Sequence, residues 1–346
     1  MRAFRVLGKD QVGLQELPDP EPGPGEVRIR VAANGLCHSD VGAVENADVA
    51  PFLVPRTLGH ETTGWVDRLG SGVQGVEVGA PVGVYSLRSC YSCDECLSWQ
   101  VNLCRRRFPP ALGFNTDGGL ADYMVVPADN LVALGDADPV HAAPLMDAGI
   151  TSYRSVRLVR DRLRPGARVV VIGVGGLGHI AVQIAKATSA AEVIAVDIDD
   201  ERLALAGKLG ADHAVRVDDG AVERIREWCH GLGADAVLDF VGAEQTLALG
   251  RDVVATGGRI VITGLAGGTL PVAALSGQAL PHGVDVSVSI YGSRQDVREV
   301  SLLMAAGHVQ VTSTTYPLDQ VATAWEDLVA GRVLGRAIVV PRTPRS

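Results

Sequence analysis

The chain has 346 residues, 47% of them hydrophobic and 21% charged, with a formal net charge of −9. That length suits two domains, each with its own core, and the composition excludes a disordered or fibrous chain. The acidic balance, with Arg105, Arg106 and Arg107 as the densest basic run, argues against nucleic acid as a partner, and no apolar run of about 18 residues is present to form a transmembrane helix. The opening MRAFRVLGKD lacks the apolar stretch of a signal peptide, so the chain reads as cytoplasmic.

The first third reads as β-rich. Residues 18–26 (PDPEPGPGE) form a turn-dense segment. In VRIRVAA, Val27, Ile29 and Val31 alternate with arginines, as in a half-buried strand. GWVDRLG, APVGVYS and ADYMVVP are further short apolar runs set apart by glycines, and they predict a small irregular barrel or sandwich. The pattern changes at ARVVVIG, which has no alternation, as in a strand buried on both faces. A glycine turn and the helical IAVQIAKA follow, then EVIAVD, DERLALAGKLG, AVRV, AVERIREWCH, DAVLDFVG, EQTLALGRDVV, GRIVITGL and VDVSVSI. Six strands alternating with helices predict an α/β fold with a doubly wound parallel sheet. From about Tyr291, QDVREVSLLMAAG and LDQVATAWEDLVAG predict helices, and AIVVP predicts a last strand. Six strands complete a nucleotide fold, so this tail is expected to return to the first domain. The predicted divisions are 1–149, 150–290 and 291–346. Trp65, Trp99, Trp228 and Trp325 read as packing residues.

Gly173-Val174-Gly175-Gly176-Leu177-Gly178 follows a buried strand and opens a helix, the context in which a glycine-rich turn receives a dinucleotide. Gly173 would make the tight turn, Gly175 would admit the pyrophosphate, and Gly178 would let helix and strand pack closely. The helix N-terminus supplies amide donors and partial positive charge. The next strand ends in Asp197, 19 residues past Gly178. A carboxylate there accepts from both ribose hydroxyls and repels a 2′-phosphate, and no adjacent arginine welcomes one. The expected cofactor is therefore NAD and not NADP. Arg202 is near enough to contact the ribose; its ordinary reading is a solvated helix charge.

Cys90, Cys93, Cys96 and Cys104 lie within 15 positions. Four thiols so close can enclose a tetrahedral zinc, in a lobe of about 88–106. A bacterial iron–sulfur pattern would place three residues before the last Cys and then Pro; here seven precede it and Arg105 follows. Two disulfides are disfavoured in a reducing compartment. Four thiolates leave no open position, so this zinc would be structural. Cys229, after a helix, reads as structural too. A second group is dispersed: Cys37-His38-Ser39-Asp40, Gly59-His60-Glu61-Thr62-Thr63-Gly64, and Asp147 in APLMDAGITSY. Cys37 alone reads as a small buried residue, His60 as a satisfied core histidine, and Asp147 as a helix N-cap. Spacing does not choose between these readings and a shared metal.

With these residues in view, the sequence resembles the zinc-containing medium-chain alcohol dehydrogenases over nearly its whole length. The markers are Gly59-His60-Glu61 with Gly64, Gly70 and Val73 at the family's spacing, the four-Cys lobe, and GVGGLG, in that order. LCHSD, TLGHE, APLMDAG and VIGVGGLGH are similar in particular to bacterial NAD-dependent secondary-alcohol dehydrogenases. The resemblance implies a chaperonin-10-like β core in the catalytic domain, a Rossmann nucleotide domain, two zinc ions per chain, and NAD. It implies oxidation of an alcohol, a secondary one, to a ketone or aldehyde, with the reverse reduction, by hydride transfer to nicotinamide C4. It further implies a homotetramer, with a dimer as the alternative.

Residue by residue, Cys37 and His60 match two ligands of the catalytic zinc. Asp147 stands where the third is usually Cys, as in some bacterial members. Glu61 matches a carboxylate beside the zinc, Asp40 the acid that orients the histidine ligand, and Ser39 the hydroxyl that touches the alcohol. The histidine that completes the proton relay in many relatives is replaced by Gly42, so water or another group must be the terminal acceptor. His38, Val241 and Tyr291 match places near the cofactor, and Arg336 a pyrophosphate-binding arginine. Residues 43–56 are expected to wall the substrate pocket, with Phe52 and Leu53 as apolar candidates. The rival readings are polyol or formaldehyde oxidation, zinc-free enone reduction, and a non-catalytic NAD-binding protein. Cys37, His60 and Asp147 argue against the zinc-free branch, and Ser39 beside an open zinc position argues against the last.

Overall fold

The computed structural model of the chain describes residues 1–45, 47, 54–106, 111–273 and 279–341. Phe52 and Leu53 lie outside the described residues. The chain folds as two compact units: Met1–Ala148 with Ser293–Ser301 and Val311–Ser346, and Gly149–Gly292 with Leu302–Gln310. The tail that was expected to return in one piece is therefore split. Residues 302–310 belong to the second unit because Gln183 grips them: its amide donates to Gln310 O at 2.9 Å and accepts from Gln310 N at 3.0 Å. Val309 is buried beside this clamp.

The first unit is organised on the strand Glu26–Leu36. It pairs antiparallel with Glu61–Leu69, Tyr123–Pro127 and Arg336–Val340. Val27, Ile29 and Val31 face one core with Val66, Val82, Val84, Met124 and Val126. The strand's far end carries Leu36 into a second core with Phe4, Leu58, Leu120, Val321 and Leu328. Arg28 departs from simple alternation, since it is buried rather than solvated. Its Nε donates to Asp67 at 2.6 Å and its Nη1 to Pro20 O at 3.1 Å, so the buried charge is paired and hydrogen-bonded.

The second unit is a six-stranded sheet in the order His213–Arg216, Glu192–Asp197, Arg168–Ile172, Ala234–Asp239, Val254–Ile262, Asp285–Val288, parallel throughout. The central strand Arg168–Ile172 buries Val169 to Ile172 almost completely, which is why it shows no alternation. The helix Gly178–Thr188 packs Ile180, Ala181, Val182, Ile184 and Ala185 out of water. Not every tryptophan packs: Trp99 is 78% exposed, and Trp228, itself half-exposed, stacks on His213 at 3.5 Å. Among the described residues no helix is long and apolar enough to cross a membrane.

Candidate active site

Three elements of the first unit converge on His60. The strand Glu26–Leu36 ends at Leu36, so Cys37 emerges from its tip into the helix His38–Glu45. Gly59 turns the chain with a φ of +102°, and there is no room for a side chain, because a Cβ would lie 2.7 Å from both Asn34 Nδ2 and Leu120 N. His60 then enters the interior at 2% exposure. Asp147 precedes the helix Ala148–Leu158, at the end of the buried turn Ala143–Met146.

Asp40, fully buried, ties two of these elements together. Its Oδ2 accepts from the Cys37 N–H at 3.0 Å, and its Oδ1 lies 3.1 Å from His60 Nδ1. A carboxylate only accepts, so Nδ1 carries a proton, and Nε2 is the nitrogen that faces the pocket. Asp147 Oδ2 and Ser39 Oγ each lie 3.4 Å from that Nε2. Burial works against a charged ring, but Asp40 and Asp147 outweigh it and hold the His60 pKa well above the ordinary histidine range. The pocket is thus arranged to hold a cation. One ligand atom each from Cys37, His60, Glu61 and Asp147 falls within 4.8 Å of the others. Nitrogen and oxygen ligands about 2.0–2.1 Å from a tetrahedral zinc stand about 3.4 Å apart, which is the His60–Asp147 separation. Asp147 thus stands among these donors, at the start of its helix.

Two neighbours were not foreseen in these roles. Phe114 lays its ring on His60, with centroids 4.3 Å apart. Nothing in the local sequence marks Phe114; the loop carrying it is brought in by Gly113, which packs on the Gly59 backbone. Arg336, expected at the pyrophosphate, is 4% exposed and pairs with Glu61 Oε1. Glu61 is therefore both a member of the metal-ligating group and half of a buried ion pair.

The four-Cys lobe meets the same geometric test. Its sulfurs lie within 4.8 Å of one another, with Cys90 and Cys96 at 3.8 Å. Sulfurs about 2.3 Å from a tetrahedral zinc stand about 3.8 Å apart, whereas a disulfide needs about 2.05 Å. All four cysteines are free thiols. Hydrogen bonds from Ser92 draw the Cys90 pKa down to about 5, while burial pushes Cys96 up to about 12. A dication at the centre would offset the burial that keeps Cys96 protonated.

In the second unit, Gly173 turns at φ +81°, and a Cβ there would meet Val241 Cγ2 at 2.5 Å. A Cβ on Gly178 would collide with Gly173 O, so helix and strand touch at that point. Gly175 instead opens to space, with Arg202 Nη1 3.7 Å from where its Cβ would stand. Asp197 ends its strand at 6% exposure. Its Oδ2 accepts from Val174 N at 2.8 Å, and its Oδ1 from Ile198 N and Asp199 N at 2.8 and 3.1 Å. The carboxylate thus staples the glycine turn to the next strand. Val241 is held in turn by Asp239, whose Oδ1 accepts from Val241 N and Gly242 N. His38 is exposed, and Tyr291 is buried in the left-handed region at φ +54°.

Comparison with known proteins agrees with this geometry. The family model described as an alcohol dehydrogenase GroES-like domain matches residues 23–136, and that of a zinc-binding dehydrogenase matches 176–306. The chain is 36% identical over 358 aligned residues to an NAD-dependent alcohol dehydrogenase of Sulfurisphaera tokodaii, covering 99% of this chain and 100% of that one. The crystal structure of the alcohol dehydrogenase of Aeropyrum pernix superposes with a TM-score of 0.90 at 34% identity, covering 99% of this chain and 100% of that one. An acetophenone reductase of Geotrichum candidum, solved with NAD, gives a TM-score of 0.84 at 28% identity over 98% of this chain and 96% of that one. The chain belongs to the zinc-containing medium-chain alcohol dehydrogenases. It is an enzyme, an NAD-dependent zinc alcohol dehydrogenase that oxidises an alcohol.

Proposed function

We propose that the chain acts on secondary alcohols and the corresponding ketones, with one catalytic and one structural zinc. Cys37, His60 and Asp147 would hold the catalytic ion, and Cys90, Cys93, Cys96 and Cys104 the structural one. When bound, zinc supplies Lewis acidity toward an alcohol oxygen and NAD supplies the hydride acceptor. Asp40 holds the His60 Nδ1–H and so aims Nε2, the nitrogen that would bind the ion once it gives up its proton. Ser39 Oγ stands beside the same nitrogen, placed to take the alcohol proton and pass it toward solvent, since Gly42 offers no side chain to relay it. The Phe114 ring gives the pocket an apolar wall against His60, which suits a carbon substituent where a polyol would bring a hydroxyl. The acetophenone reductase it resembles is named for an aryl ketone, which supports the same reading.

The glycine turn Gly173, Gly175, Gly176, Leu177 and Gly178 would receive the pyrophosphate, with Arg202 above it. Asp197, Val241, Tyr291 and His38 are assigned to the rest of the cofactor. Arg336 serves Glu61 first, and pyrophosphate contact would be a second use of its guanidinium. The free thiols suit a reducing compartment, so we place the enzyme in the cytoplasm. The strand Asp285–Val288 ends its sheet with Val288 80% exposed, a surface fit for self-association, in keeping with a homotetramer.

The observation that carries this reading is the 3.4 Å approach of Asp147 to the Nε2 that Asp40 aims. The test is NAD reduction over primary alcohols, secondary alcohols and polyols, with zinc measured on the same sample. Turnover confined to polyols would displace the secondary-alcohol assignment.

A further inference from the structure

The helix Gly178–Thr188 starts without a side-chain cap, Leu177 being at its N-cap. The N–H groups of Gly175, Gly176, Leu177 and Gly178 meet no acceptor among the described residues. Most helix starts spend one such donor on a Ser, Thr, Asp or Asn side chain. Here the turn is held by its carbonyls. Ser152 Oγ donates to Leu177 O at 2.9 Å. His179 Nδ1 lies 2.7 Å from Gly175 O, closer than the 3.3 Å reached by the His179 backbone N–H to the same oxygen. A carbonyl only accepts, so the ring proton sits on Nδ1. His179 is fully buried, and burial lowers its pKa to about 4, against the pull of the Gly175 carbonyl. The ring is therefore neutral, and its single N–H is committed to that bond.

We propose that His179 is a positioning residue for the dinucleotide: by drawing the Gly175 carbonyl toward the helix, it rigidifies the glycine turn while leaving the amides at the helix start for the pyrophosphate. A conventional cap would stabilise the same turn but would compete with phosphate for those donors. A free carbonyl on the ligand side would repel phosphate, and four glycines in six positions give the turn much freedom to lose on binding. The Nδ1–H bond reduces both costs. This inference rests on the reading that the turn receives the pyrophosphate.

The experiment measures NADH affinity by its fluorescence, without substrate, in the zinc-loaded protein. His179→Leu keeps an apolar side chain of similar reach but no donor. His179→Asn puts an amide Nδ2 at the branch where Nδ1 stood, and His179→Gln places its amide one carbon too far. We expect His179→Leu and His179→Gln to weaken NADH by about tenfold and His179→Asn to stay within about threefold of wild type. The turnover number at saturating NAD should be unchanged in all three. In the NAD-free protein, exchange of the bonded Gly173 and Val174 amides should quicken in His179→Leu and recover in His179→Asn. Wild-type affinity in His179→Leu would overturn the proposal. So would an equal loss in all three variants accompanied by a fall in turnover, which would mark a general packing role. Gly175→Asp separates the two layers of the argument. If it leaves NADH affinity intact, the pyrophosphate lies elsewhere and the proposal falls with that reading. If it abolishes affinity while His179→Leu binds normally, His179 alone was misassigned.

Discussion

The Glu61–Arg336 pair offers the sharpest test of how the first unit is assembled. The two residues are 275 positions apart and meet because their strands flank the same strand, Glu26–Leu36. Gly35 pairs with Glu61 on one side and with Ile338 on the other, and a Cβ on Gly35 would overlap the Glu61 carboxylate. Glu61 is 0% and Arg336 4% exposed, so solvent screens neither charge. Removing one partner of such a pair strands a buried charge and costs about 3–5 kcal/mol. For a unit of this size that corresponds to a fall in Tm of roughly 10 °C. Removing both charges leaves no such penalty. We therefore expect Glu61→Gln and Arg336→Met each to lower Tm by roughly that amount, and the double variant to recover most of the loss. Gly35→Ala, which alters no charge, should mimic the single variants by displacing the carboxylate. Thermal unfolding followed by circular dichroism, at matched zinc content, gives all four values. Additive losses in the double variant, or a cost below about 1 kcal/mol for either single variant, would show that the two side chains do not depend on one another.

Asp147→Ala should release one zinc per chain and abolish alcohol oxidation while leaving NADH binding intact; retained turnover by the variant in a metal-matched assay would remove Asp147 from the ligand set. Cys93→Ser should release the other zinc and lower Tm through the lobe, read by metal analysis alongside calorimetry, because structural zinc contributes directly to folding. Asp197→Ala should lose preference for NAD over NADP, and also some stability, because three backbone N–H groups lose their acceptor; unchanged coenzyme ratios in steady-state kinetics would refute the ribose assignment. Asp212 has its pKa lowered: burial raises it, but the Val193 N–H and Lys186 outweigh burial. A depressed carboxylate stabilises the fold above its unfolded pKa of about 4 and ceases to do so as pH falls through the folded value. Asp212→Asn should therefore cost about 1 kcal/mol in urea unfolding at pH 7, with the difference from wild type narrowing below pH 4.

The features legible in the sequence are those that neighbouring residues settle among themselves. Four thiols within 15 positions need only a short loop to meet, and the GxGxxG turn needs only its own strand and helix, so both stand out as patterns. Cys37, His60 and Asp147 have no such local cause. Each arrives on a different element, and spacing left them indistinguishable from a buried thiol, a core histidine and a helix cap until the family pattern joined them. Three further features depend on tertiary placement, and no sequence period encodes it. The Glu61–Arg336 pair follows from sheet register, the Phe114 ring from a loop packed on the Gly59 backbone, and the 302–310 clamp from one glutamine in a distant helix. His179 is the instructive intermediate case. It is the second residue of an apolar helix and is fully buried. What distinguishes it is a ring nitrogen 2.7 Å from the carbonyl four residues back, a bond that hydrophobic periodicity cannot register because it is made by a polar atom on the apolar face. Polar atoms on buried faces are therefore where a sequence reading of this chain is weakest, and where both of its least expected contacts, Glu61 with Arg336 and His179 with Gly175, are found.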